Sequence, residues 1–193
     1  TMIHTFFIET VGCQMNVLDS ELVASALTDA GYDPAPELKK ADIVLFNTCS
    51  VRKHAEDKIY SALGRLKHVK THHPHAVIGV IGCMAQQEQR KIFQRAPHVD
   101  LVIGPGRLGD LIAALERISI EQPTADLRTP FLAVSDDRKG GKHEPIKESF
   151  APYNPNRKIV TSAGSFQAMV RIMYGCNEFC SYCVVPFARG PEQ

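Results

Sequence analysis

The 193-residue sequence has no excess of charge of either sign: 22 lysines and arginines face 21 aspartates and glutamates, a formal net charge of +1. A global field that draws in nucleic acid or an anionic membrane is therefore excluded, and any such partner must be met by a local patch. Long apolar runs are missing as well. The longest uncharged apolar stretch, Ala76 to Ala85, is well short of the ~20 residues that span a bilayer, so no membrane partner is expected. Nor is there a leading basic cluster. The first apolar run carries Glu9 and does not read as a secretory signal, which makes the cytoplasm the expected compartment. Room is also scarce: domains cluster at roughly 100–150 residues, so the chain accommodates one complete domain and part of another. With 44% hydrophobic and 22% charged residues, the composition is that of a globular protein, neither disordered nor collagen-like.

Strand and helix signals alternate along the first two thirds. His4 to Val11 is rich in β-branched and aromatic residues and meets Gly12, after which Asp19-Ser20-Glu21 opens an apolar-periodic stretch closed by Gly31. Asp42 to Thr48 reads as a buried strand, followed by Cys49-Ser50 and a polar helix to about Val69. Ala76 to Ile81 is a strand ending in Gly82-Cys83, with a helix from about Gln86 to Gln94. Val99 to Ile103 is a strand ending in Gly104-Pro105-Gly106, and Arg107 to Ile118 is its helix. Apolar runs too continuous to have a solvated face argue an α/β domain, a doubly wound and mainly parallel sheet covered on both sides, over residues 1–118. Residues 119–164, with eight prolines and glycines among charges, read as a linker carrying a short strand at Phe131 to Val134. Ser165 to Tyr174 reads as the first strand of a further unit, 165–193, that the chain leaves unfinished.

Six cysteines without an export signal point to metal or redox chemistry rather than disulfides, because the cytosol keeps thiols reduced. Cys13, Cys49 and Cys83 lie 36 and 34 positions apart, about one βα unit, and each directly follows an expected strand. Parallel strands with right-handed crossovers end along one edge of their sheet, where open α/β folds place their sites. Three thiols distant in sequence should therefore gather there. Gly12 and Gly82 allow tight loops, and helices starting just afterwards favour thiolates. A soft metal is the natural occupant. Buried cysteines acting as small hydrophobes are the plain alternative. Zinc is another, although a structural site wants a fourth protein ligand; His54 or His72 can be put forward, yet a histidine in a polar helix or loop is more often a solvated surface residue. Three cysteines suit an iron–sulfur cluster with one iron left open.

Cys176, Cys180 and Cys183 sit in one short loop, with Tyr182 just before the last. A self-contained three-cysteine loop implies a four-iron cluster with an exchangeable position; a zinc knuckle is the competing reading. The CxxxCxxC spacing with that aromatic residue resembles the signature of radical S-adenosylmethionine enzymes. Beyond it, Gly12-Cys13-Gln14-Met15-Asn16 with Asp19-Ser20-Glu21, Asn47-Thr48-Cys49, Gly82-Cys83-Met84-Ala85-Gln86, and Gly175-Cys176 through Cys183 to Pro186, Arg189 and Gly190 resemble, in order and spacing, the radical S-adenosylmethionine methylthiotransferase family. Gln14-Met15-Asn16 resembles its MiaB branch, which methylthiolates isopentenyl-modified adenosine beside the tRNA anticodon.

The resemblance implies an enzyme with two [4Fe-4S] clusters and S-adenosylmethionine as cofactors. Cys13, Cys49 and Cys83 would hold an auxiliary cluster that presents sulfur. Cys176, Cys180 and Cys183 would hold the radical-generating one at the mouth of a partial barrel, with Tyr182 in its cofactor-binding loop. It further implies a tRNA substrate, a reductant protein such as flavodoxin or ferredoxin, and a sulfur donor. Most of the barrel and a small RNA-binding domain are not in this chain, so turnover by the chain alone is not expected. A zinc- or redox-cysteine α/β module that binds RNA or protein without radical chemistry is the alternative. Arg52, Lys53, Lys58, Arg65, Lys67 and Lys70 with the neighbouring histidines make residues 51–75 locally basic, as a phosphate-contacting surface or as a solvated helix face. Gly104-Pro105-Gly106 reads as a phosphate-cradling turn or simply as a turn.

Overall fold

The structure is a computed structural model that describes residues 5–50, 53–121, 129–135 and 169–192. Six parallel strands form one sheet: β1 (Thr5–Val11), β2 (Asp33–Pro34), β3 (Ile43–Thr48), β4 (Val77–Gly82), β5 (Leu101–Ile103) and β6 (Phe131–Ala133). Their spatial order is β2-β1-β3-β4-β5-β6. The expected doubly wound parallel sheet is thus present, and every strand pair in it is parallel. The order reverses between β1 and β3, so the chain winds outward in opposite directions from that point. In such sheets the loops on either side of the reversal diverge and leave a crevice at the C-terminal strand ends.

The sequence dictates this layering. β3 and β4 are buried at every position, as expected where both faces are covered by helices. Along β3, Ile43 and Leu45 join one core, while Val44 and Phe46 join the other, the two-residue period of a strand. The first core also takes Val23, Ala24 and Leu27 of α1 (Gln14–Asp29) with Leu111, Leu115 and Ile118 of α5 (Leu111–Glu121). The second takes Ile59, Leu63 and Leu66 of α2 (Lys53–His72), Met84 and Ala85 of α3 (Cys83–Glu88), and Ile92 of α4 (Arg90–Arg95). Each fully buried Leu or Ile contributes about 1.5–3 kcal/mol, so the two cores fix the strand ends rigidly.

Several elements differ from expectation. α1 starts at Gln14, not Asp19, because Cys13 serves as its N-cap and Asn16 at the third helical position bonds back to it. The helix expected from Gln86 to Gln94 is two helices, broken at Gln89, whose φ of 46° lies in the left-handed region. The stretch after Gly104 begins as a 3-10 turn, Pro105–Asp110, before α5. β2 is two residues long and carries no apolar signal. The short strand anticipated near Phe131 exists and pairs with β5, so the sheet extends beyond residue 118. The strand expected over Ser165 to Tyr174 falls partly outside the described residues. Its described portion, 169–174, is not a strand, since no strand of the described residues runs beside it to take its hydrogen bonds. It is followed by α6 (Val185–Arg189). Most of the linker, 119–164, lies outside the described residues. Among the described residues no helix is long and apolar enough to cross a membrane.

Candidate metal centre

β1, β3 and β4 are consecutive in the sheet, with Val11, Thr48 and Gly82 in register at their ends. Cys49 and Cys83 follow at once, and Cys13 one residue later. The three cysteines are thus brought to the C-terminal ends of three adjacent strands, with Cys13 and Cys49 on the two sides of the topological reversal. Cys49 and Cys83 are buried and Cys13 is exposed; all three are free thiols. Among the described residues no three His, Cys, Asp or Glu groups stand at metal-holding separation.

Two buried amides hold the loops after β1 and β3 together. Asn16 Oδ1 accepts the Cys13 backbone N–H at 3.2 Å and the Cys13 thiol at 3.3 Å, and Asn16 Nδ2 donates to Asn47 Oδ1 at 2.9 Å. Asn47 Nδ2 donates in turn to the Asn16 carbonyl at 2.8 Å and to Ser20 Oγ at 2.9 Å. Ser20 Oγ closes the network on Thr10 Oγ1 at 2.7 Å. The Cys49 backbone N–H donates to the Val11 carbonyl at 3.0 Å. Gly82 completes the arrangement. Its φ is 89°, and a β-carbon there would overlap Asn47 Oδ1, so a side chain would both strain the backbone and displace the amide pair.

A charged cluster covers the Cys83 end. Asp19 of α1 is fully buried and accepts Arg189 Nη2 of α6 at 2.6 Å and Arg171 Nη2 at 2.9 Å. Tyr174 lies under both guanidiniums, its ring centre 4.9 Å from the Arg171 and 5.6 Å from the Arg189 central carbon. Burial pushes the Tyr174 phenol up to about 12, with Asp19 adding to the rise and the arginines opposing it. Burial works against the Arg189 charge too, but Asp19 outweighs it and the guanidinium is held more firmly protonated than usual. Burial raises the Cys83 thiol above its ordinary value, and the adjacent Arg189 draws it back down. These contacts bring residues 169–192 onto the sheet edge that carries the first three cysteines.

The second cysteine triple occupies the loop between Tyr174 and α6. Cys176 and Cys183 are half-buried and Cys180 is exposed. The Cys176 N–H donates to the Gly190 carbonyl at 3.1 Å, and the Cys183 N–H to the Cys180 carbonyl at 2.9 Å. Tyr182 is 92% exposed. Sequence motifs contained Asn16, Asp19, Asn47 and Arg189 without revealing what they do. A carboxylate on the buried side of an apolar-periodic helix is the signal that marks Asp19.

The other sequence candidates separate from this edge. α2 runs back from the Cys49 loop for 20 residues, about 30 Å, so His72 at its far end is remote from the thiols; the His54 side chain lies outside the described residues. Lys70 does not face solvent. Its ammonium pairs with Asp100 at 2.5 Å and donates to the His98 carbonyl at 2.9 Å, while Lys58, Arg65 and Lys67 stay exposed. The Gly104 turn gives no anion cradle: a β-carbon on Gly104 would overlap Gln86 Oε1. Gln86 exchanges hydrogen bonds with the Ser135 backbone at 3.0 and 3.1 Å, fastening the end of β6.

An open doubly wound α/β sheet that presents single cysteines from three neighbouring strand ends, with a second cysteine loop packed beside them, defines the class. The family model described as uncharacterized protein family UPF0004 matches residues 5–104, from β1 to the end of β5 with the first three cysteines, and the chain belongs to that family. Three similar proteins are each named tRNA-2-methylthio-N(6)-dimethylallyladenosine synthase. The one from Rhodopirellula baltica is 47% identical over 193 residues, which is 100% of this chain and 39% of that protein. The one from Moorella thermoacetica is 41% identical over 191 residues, 98% of this chain and 39% of the relative. The one from Dictyoglomus thermophilum is 37% identical over 189 residues, 97% of this chain and 38% of the relative. The chain spans about two fifths of the length of these curated relatives.

Proposed function

We propose that this chain is the N-terminal part of a tRNA methylthiotransferase, which adds a methylthio group to isopentenyl-modified adenosine beside the anticodon using two [4Fe-4S] clusters and S-adenosylmethionine. The observation that carries the reading is the arrival of Cys13, Cys49 and Cys83 at the C-terminal ends of three adjacent strands. A structural zinc site wants four protein ligands, and Asp19, the nearby carboxylate, is committed to two arginines. Three thiolates and an open position match an iron–sulfur cluster better. Names of the relatives support the tRNA substrate and the transferred group.

In this reading Cys13, Cys49 and Cys83 hold the auxiliary cluster, and Cys176, Cys180 and Cys183 the radical-generating one, with Tyr182 beside its cofactor. When bound, these groups supply an electron for cofactor cleavage at the second triple and an open iron for sulfur at the first. The chain's own residues set the scaffold. Asn16 and Asn47 hold the β1 and β3 loops at fixed separation, Gly82 lets the β4 loop approach them, and Asp19 docks the segment with the second triple against the first. Residues 165–193 begin the radical domain, and the reductant, a flavodoxin or ferredoxin, and the sulfur donor act on the whole protein in the cytoplasm.

The test is anaerobic reconstitution with iron and sulfide. Iron approaching ~8 atoms per chain with matching labile sulfide is expected for two four-iron clusters. Colourless protein holding stoichiometric zinc and no labile sulfide would overturn the reading in favour of a zinc module.

A further inference from the structure

At the opposite end of the sheet from the cysteines lies a cavity of about 730 Å³, within the range of about 300–1,000 Å³ that small-ligand sites occupy. It is bounded by the last turns of α2, the end of α4 and the residues that lead into β5 and β6. Its wall is basic. Lys67, Lys70 and Arg95 contribute to it, against Asp100 as the one carboxylate of the lining. Lys70 and Asp100 are buried and paired with each other, so their charges cancel. Lys67 and Arg95 are exposed and meet no carboxylate within ion-pair distance among the described residues. Arg95 is restrained all the same: its central carbon lies 3.4 Å from the centre of the Tyr60 ring, a contact that orders a long side chain before any ligand arrives. Pro74, Pro97 and Pro130 add rigid apolar rings to the wall. Gly64 lines the same cavity from inside the 20-residue α2, where glycine costs a helix stability relative to alanine. Nothing in the fold demands it. A β-carbon there meets no atom within 4 Å, and its φ is not in the left-handed region. The missing side chain leaves the cavity open beside Lys67, one turn further along the same helix face.

We propose that this cavity binds one phosphorylated nucleoside unit, with Lys67 and Arg95 meeting the phosphate and the planar base lying over Gly64 against the proline rings. Two cations without carboxylate partners suit a phosphate, which Lys takes as a point charge and Arg through its planar fork. A bare anion has no use for the room at Gly64 or for three apolar rings. A wholly apolar ligand has none for two cations. Two sources share the required chemistry, a nucleotide within an RNA strand and a free mononucleotide, and the RNA strand is the one that the transferase reading supplies. The site itself rests neither on that reading nor on any metal centre. β3 is six residues long, about 20 Å, so an RNA held here and at the cysteine edge would be gripped at two points roughly that far apart. The cavity would then fix the strand while the far edge does the chemistry.

The experiment titrates this chain, nitrogen-labelled for nuclear magnetic resonance, with adenosine monophosphate and with inorganic phosphate, and follows a fluorescein-labelled RNA hairpin by anisotropy. Adenosine monophosphate should move the amides of Gly64, Thr71 and His98, and inorganic phosphate, lacking the base, should bind at least about tenfold more weakly. Gly64→Leu closes the cavity and keeps both cations. It should weaken adenosine monophosphate at least about tenfold without lowering the thermal unfolding midpoint, since leucine is the better helix former. Lys67→Met and Arg95→Met should each weaken adenosine monophosphate and inorganic phosphate alike. With the hairpin, Gly64→Leu should weaken binding, and Lys67→Met should lower the slope of log affinity against log salt by about one. Adenosine monophosphate that moves none of the cavity amides overturns the proposal, and so does equal affinity for it in Gly64→Leu and the parent; a hairpin that then responds to Lys67→Met alone marks a solvated basic face. Loss of adenosine monophosphate binding in Gly64→Leu with hairpin binding unchanged upholds the site and assigns it to a free mononucleotide. Should Gly64→Leu fail to fold, Lys67→Met and Arg95→Met decide: parental affinity for adenosine monophosphate in both overturns the proposal. Iron and sulfide uptake does not enter any of these outcomes, so the cluster reading and this inference fail separately.

Discussion

Asp19→Asn keeps the size of the side chain and removes the charge that holds residues 169–192 to the sheet edge. Two courses are then open to the protein. It can keep the segment docked with two uncompensated guanidiniums, one of them 3% and the other 16% exposed, and breaking a buried pair in this way costs about 3–5 kcal/mol. Alternatively the segment can detach, which hydrates both arginines and forfeits the burial of Tyr174, Pro186 and Ala188. Detachment relieves both charges at once, and neither sheet core depends on the segment. The expected outcome is local release without global unfolding. Hydrogen exchange should show lost protection at the α6 amides of Ala188 and Gly190, which are bonded to Val184 and Pro186, with protection in β3 and β4 retained.

Tyr174 gives an independent readout of the same event. Its phenol is raised from 10.0 to about 12 while docked, so docking is fully stabilised by this group below pH 10 and weakens as pH rises from there to about 12, when the detached state releases the proton more readily. In Asp19→Asn, ultraviolet difference titration should find this phenol back near its ordinary value, with Tyr174→Phe as the subtracted background. A variant that retained both the amide protection of α6 and the elevated phenol would refute the argument that one carboxylate docks the segment.

Three further outcomes are expected. Lys70→Met removes the ammonium that faces the buried Asp100 carboxylate, which also accepts the Ile78 amide, so chemical denaturation should show a loss of about 3–5 kcal/mol; combining it with Asp100→Asn should cost less than the sum of the single changes, and strict additivity would argue against the pair. Gly82→Ala forces a side chain into a φ of 89° and into Asn47; thermal unfolding should register at least about 1–3 kcal/mol of destabilisation, and a neutral result would show that the amide pair yields freely. In a protein carrying the remaining domains, alanine at Cys13, Cys49 and Cys83 should leave reductive cleavage of S-adenosylmethionine measurable and abolish methylthiolation, whereas alanine at Cys176, Cys180 and Cys183 should abolish both. Sulfur insertion at the parent rate by the first variant would return those three to structural cysteines.

What the sequence disclosed and what it withheld follow from the range of the interactions involved. β3 and β4 were legible because strands covered on both faces must be apolar throughout, and such runs followed by Gly or Cys mark the ends. Strand ends carrying Cys13, Cys49 and Cys83 therefore followed from topology rules alone. The start of α1 was not legible, since a cysteine N-cap with an asparagine three residues on lacks the usual hydroxyl or carboxylate signal. β2 owes its strand character to its neighbours rather than to its own residues, whereas the short β6 was legible in the apolar run from Phe131 to Val134. The break at Gln89 has no glycine or proline to announce it. Asp19 and Lys70 were beyond local reading altogether: their partners lie 152, 170 and 30 positions away, and only the folded chain decides whether a charge is solvated or buried.

The distance between Asp19 and Arg189 also bears on the order in which the molecule assembles. Closing a flexible loop costs an entropy that grows as (3/2)RT ln n. The Asn16–Asn47 amide contact spans 31 positions and the Asp19–Arg189 contact spans 170, so the second closure is dearer by about 1.5 kcal/mol. During synthesis the sheet strands β1 to β5 have all emerged before Arg189 is made, and domains fold as units as they appear. Asp19 therefore begins life as a hydrated carboxylate on a finished helix and becomes a buried one only when the last 24 described residues, 169–192, close over the strand ends. The cysteine edge is open to solvent through that interval and is roofed on the Cys83 side afterwards.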